Sequence, residues 1–67
     1  MNAREYLEIY GKAGAEKVAK KAGSNLAYFM QIARGIRRPS VNLAERLVKA
    51  SGGKLDFVEL LKNKKAA

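Results

Sequence analysis

Cysteine and histidine are both missing from this chain. Without cysteine there is no disulfide framework and no thiolate metal site. Without histidine the usual metal ligand and neutral-pH general base is gone as well. Carboxylates are few, six against fourteen Lys and Arg, and they fall at helix-pair and cap positions. No catalytic constellation can be assembled from them, so no enzyme activity, metal or cofactor is expected. Apolar runs are short: none approaches the roughly 20 residues that span a bilayer. The opening Met1-Asn-Ala-Arg-Glu-Tyr lacks the apolar block of a secretion signal, and no membrane partner is expected. Period-two alternation is absent too, as are internal repeats, low-complexity segments and linkers, which leaves one domain over residues 1–67. A chain of this length buries about 60% of its unfolded surface, so modest stability is expected unless it associates.

What is present is helical periodicity, and it predicts an all-α fold of five helices. Residues 2–12 carry a stripe of Ala3, Tyr6, Leu7 and Tyr10, widened by Ile9, with the tyrosines read as core. Gly11 and Gly14 then mark the end. A helix over 15–22 follows, with Val18, Ala19 and Ala22 on one side and Lys17, Lys20 and Lys21 off it. Gly23 ends it in a left-handed turn, and Asn25 caps the next helix, 26–34. Ala-x-x-x-Gly, a capping residue and a new apolar period make the sequence form of a helix-turn-helix. Ser40 caps a helix over 41–51 with Leu43, Ala44, Leu47 and Val48 inward. Asp56-Phe-Val-Glu59 fits a capping box, with Leu55 stapled on Leu60, for a helix over 56–64. Lys62, Lys64 and Lys65 suit its C-terminal dipole, and Ala66-Ala67 are expected to fray.

Helix 26–34 resolves by angle. At about 100° per residue, Leu26, Ile32 and Ala33 lie within roughly 60° of Phe29, whereas Ala27, Gln31 and Arg34 lie roughly 140–200° away. One side is core. The other offers a small residue, an amide able to pair with adenine, and a guanidinium able to meet guanine or phosphate. A solvated face with no partner is the plain alternative. The surroundings favour a duplex: between Lys17 and Arg38 stand six bases and no acid, in a chain of net charge +8. Six phosphate contacts imply log K falling with log salt at a slope of about −5.

The words Val-Ala-Lys-Lys-Ala-Gly-Ser-Asn, Tyr28-Phe-Met-Gln-Ile-Ala-Arg-Gly35, Arg37-Arg-Pro-Ser40 and Leu43-Ala-Glu-Arg-Leu-Val-Lys-Ala50 together resemble the lambda-repressor and Cro family of phage helix-turn-helix regulators. The second and third are most similar to small Cro-type proteins of prophages. The resemblance implies base contacts from Leu26, Ala27, Met30 and Gln31. Arg34 matches a position that often meets the sugar-phosphate backbone, and backbone contacts are expected from Lys17, Asn25 and Tyr28 as well. Arg37 and Arg38, on an exposed loop beside the recognition helix, are placed to grip the backbone flanking the site, with a merely solvated loop as the alternative. Family members often have Gln or Thr at the start of the first motif helix to brace the recognition helix on a phosphate. Gly14 and Ala15 stand there in this chain, so a phosphate would meet the backbone N–H groups near Ala15, or Lys17.

The expectation is therefore a sequence-specific transcriptional regulator, a Cro-type repressor in the cytoplasm of a bacterial host, on the nucleoid. Its partners would be a palindromic double-stranded operator and a second copy of the chain, met through helix 56–64. An antitoxin-like protein-interaction module and a nonspecific nucleic-acid binder are the alternatives.

Overall fold

Asn2 opens the first helix of the protein, seen in a computed structural model that describes residues 1–62. Its side chain accepts the Glu5 N–H at 2.8 Å, and the Glu5 carboxylate accepts the Asn2 N–H at 2.9 Å. This reciprocal cap satisfies two donors that a helix start leaves without intrahelical partners. The helix it starts, α1, runs Ala3–Lys21. It bends sharply at Gly11, whose backbone leaves helical geometry at φ 70, ψ −176. Glycine adopts that conformation without a Cβ clash, so a single residue makes the bend and no loop is needed.

For that reason the described residues form four helices and not the expected five: 2–12 and 15–22 are joined within α1. The remaining three are α2 (Leu26–Ala33), α3 (Val41–Ala50) and α4 (Phe57–Lys62). The class is all-α, with no strand among the described residues. The expected continuation of the last helix to residue 64, with Lys64, Lys65 and the fraying Ala66-Ala67, lies outside the described residues. No helix among those described is long and apolar enough to cross a membrane.

The bend reshapes the expected core of the first segment. Ala3 and Tyr6 are buried, but Tyr10 is 40% and Ile9 62% exposed. Both stand on the last turn before Gly11, where the chain changes direction and the stripe no longer continues along one axis. Tyr10 lies instead on the Tyr6 ring, centroids 4.5 Å apart, with the Lys54 ammonium 5.7 Å from its own centroid. Glu8 pairs backward with Arg4 at 3.8 Å, across an unbroken turn.

Beyond the bend, Ala15, Val18 and Ala19 of α1 and its cap residue Ala22 are buried with Phe29, Ile32 and Ala33 of α2 and Leu43, Ala44 and Leu47 of α3. Three of these four residues at the end of the helix are alanines, which permits close approach of the backbones. The Tyr6 ring meets Phe29 edge-on at 6.2 Å, so the N-terminal segment also braces α2. Leu55 and Leu60, the expected staple, are both buried in the same core. Ser51, buried at the end of α3, donates to the Val48 carbonyl and accepts the Leu55 N–H, each at 2.9 Å. Asp56 caps α4 through the Val58 N–H at 3.2 Å, while its own N–H donates to the Met1 carbonyl at 2.9 Å. The expected capping box with Glu59 does not form: Asp56 accepts from Val58 and not from Glu59, and the Met1 carbonyl takes the Asp56 N–H that Glu59 was expected to accept.

Candidate nucleic-acid interface

The turn before α2 is made by short hydrogen bonds. Gly23 N–H donates to the Lys20 carbonyl at 3.0 Å and Ser24 N–H to the Ala19 carbonyl at 2.8 Å, the paired closure of a Schellman motif. Asn25 then caps α2, its side chain accepting the Tyr28 N–H at 2.8 Å. From this start the helix divides as its angles require. Phe29, Ile32 and Ala33 are buried, Ala27 and Arg34 are exposed, and Leu26, Tyr28, Met30 and Gln31 are half-buried.

The far end of α2 decides the character of the outer face. Gly35, at φ 77, turns the chain back in a second Schellman closure. Gly35 N–H donates to the Ile32 carbonyl at 3.1 Å and Ile36 N–H to the Gln31 carbonyl at 2.9 Å. The Arg37 N–H reaches the same Gln31 carbonyl at 3.3 Å. Arg37 is thereby returned over the helix it has just left. Its Nε donates to Gln31 Oε1 at 2.6 Å, and its guanidinium carbon lies 5.7 Å from the centre of the Tyr28 ring. The hydrogen bond is charge-assisted and the ring contact is of cation–π type. Asn25, Ala27, Tyr28, Gln31 and Arg37 line one shallow, open depression.

No protein-family model, curated protein or solved structure matches the chain.

Of the eleven residues expected at the interface, five thus meet in one place: Asn25, Ala27, Tyr28, Gln31 and Arg37. Leu26 and Met30 flank it, with Leu26 committed in part to the core. Lys17, Arg34 and Arg38 are exposed and stand outside the depression. Lys20 reaches Glu16 at 3.5 Å on the surface, a pair that adds little stability in water.

Ala15 must be withdrawn from the expected contacts. It is 0% exposed and lies inside α1, because the chain bends at Gly11 and not at Gly14. No helix start exists at Ala15 to present N–H groups to a phosphate. The pairing of Arg37 with Gln31 goes beyond the DNA-backbone contact expected of Arg37 from the sequence. The signal was there in the spacing of Gln31, Gly35 and Arg37: a glycine closure four residues after Gln31 brings the chain back over that residue two positions later.

Proposed function

We propose that the protein is a sequence-specific DNA-binding regulator that inserts the outer face of α2 into the major groove. The observation that carries this reading is that face itself. Ala27 stands clear of protein and permits close approach, and beside it an amide is held ready by a guanidinium, while the opposite side of the same helix is buried. Exposed Lys17, Lys21, Arg34 and Arg38 supply positive charge for the phosphates. If the two segments of α1 on either side of Gly11 are counted separately, the order of helices agrees with the five-helix lambda-repressor-like pattern. Function would then be occupancy of an operator in the manner of a Cro-type repressor, with no chemistry on the DNA.

Two copies would place two α2 helices in successive major grooves about 34 Å apart. Val58, 53% exposed, and the neighbouring depression, with Val48 and Phe57 at its apolar part and Glu45 and Lys49 at its rim, support pairing through α4. Selection of bound duplexes from a random pool tests the whole reading. A palindromic consensus is the expected outcome, and the selected duplex should bind at least about a thousandfold more tightly than random DNA. Equal affinity for both duplexes would instead make the protein a nonspecific binder. Absence of binding at low salt would leave a protein-interaction module.

A further inference from the structure

Gln31 carries a constraint that bears on which base it reads. An arginine Nε–H can only donate, so the amide atom 2.6 Å from it is the oxygen, and the Gln31 NH2 group faces the other way. A glutamine reads adenine by using both ends of its amide, accepting from N6–H2 and donating to N7. Here the accepting end is already engaged by a cation. An adenine amino group brought to the remaining lone pair would set its partly positive hydrogens beside the guanidinium. Guanine poses no such conflict: its major-groove edge offers two adjacent acceptors, N7 and O6. Thymine offers one acceptor, O4, and cytosine only a donor. A charged donor on the oxygen also polarises the amide and strengthens its N–H groups as donors.

Resting on the DNA-binding reading above, we propose that Arg37 is a positioning residue that makes Gln31 a reader of guanine in place of adenine. Tyr28 holds the guanidinium from below, and the closure at Gly35 brings it there. The specificity of α2 is thus set by a residue outside the helix.

The test profiles three proteins on one selected duplex and its single-base variants, by fluorescence anisotropy. Gln31→Ala locates the position, losing preference there alone. Wild type should prefer guanine at that position over adenine by about tenfold. Arg37→Met keeps the stem and removes the donor, and it should move the preference to adenine while the rest of the site is unchanged, with helicity by circular dichroism as the control for folding. Adenine or thymine preferred by the wild type, or a guanine preference that Arg37→Met leaves in place, would overturn the proposal and leave DNA binding intact. A wild type that binds no duplex, or all equally, removes the underlying reading and the proposal with it. If Arg37→Met binds too weakly to profile, the Arg37 Nε–H resonance of the wild type decides. It should keep its hydrogen-bonded shift when the guanine duplex is added, and release of that proton to solvent would refute the pairing.

Discussion

Gly14 sits in helical backbone, where alanine is ordinarily the better residue by about 1 kcal/mol. A Cβ at this position would lie 2.6 Å from the Tyr10 Cβ, because the bend at Gly11 folds the preceding turn over it. The atom in the way is next to the backbone and cannot swing aside. Gly14→Ala is therefore expected to destabilise the protein by about 1–3 kcal/mol, the usual range for overpacking, read from urea unfolding; a gain in stability would contradict the geometry. Tyr6 makes a second residue-scale prediction. Burial, and to a lesser degree the neighbouring Tyr10, raises its pKa above the usual value of about 10. Above that pH an unfolded chain gives up the phenolic proton while the folded one retains it, so stability is full below about pH 10 and falls as pH rises further. Tyr6→Phe should lose less stability than wild type between pH 9 and pH 11 (roughly the window around the ordinary tyrosine value), as followed by thermal melts. The placements of Ala27, Phe29 and Gln31 were accessible from sequence because the sides of a helix follow from angle alone. Ala15 and the Arg37 contact were not, since the first depends on which of two glycines bends the chain and the second crosses a turn.

At the scale of elements, local chemistry made the boundaries readable. Asn25 and Ser40 cap α2 and α3 as their residue types suggest, with Ser40 Oγ accepting the Leu43 N–H at 3.1 Å. Replacing Asn25 by alanine removes an acceptor from the first turn of α2 and should cost about 1 kcal/mol. For a domain of this size that corresponds to a fall in Tm of about 4–8 °C, measurable by calorimetry; an unchanged Tm would mean that another group takes over the cap. The number of helices was harder to read. Gly11 and Gly14 look alike as helix breakers in sequence. In the structure they act as a pair, with Gly11 supplying the bend and Gly14 the room for it.

For the whole molecule, charge and association are the quantities to measure. With Arg37 held on Gln31, contacts from Lys17, Lys20, Lys21, Arg34 and Arg38 to phosphates predict a log–log salt slope of about −4.5 for duplex binding, and Arg38→Ala should reduce it by about one. A slope near zero would remove the electrostatic part of the proposal. Sedimentation at high micromolar concentration tests pairing through α4: a dimer that Val58→Asp disperses is expected, and a strictly monomeric wild type would exclude a free dimer. The helix ends have one more consequence. Every reversal of the chain after α1, α2 and α3 is tied by amides reaching back no more than six residues, as in Ser24 to Ala19, Ile36 and Arg37 to Gln31, and Gly53 to Val48. Little loop entropy is spent before native contacts begin to form, and chains assembled from such near neighbours reach their native state in microseconds to milliseconds. A newly made copy should thus be competent almost as soon as synthesis ends.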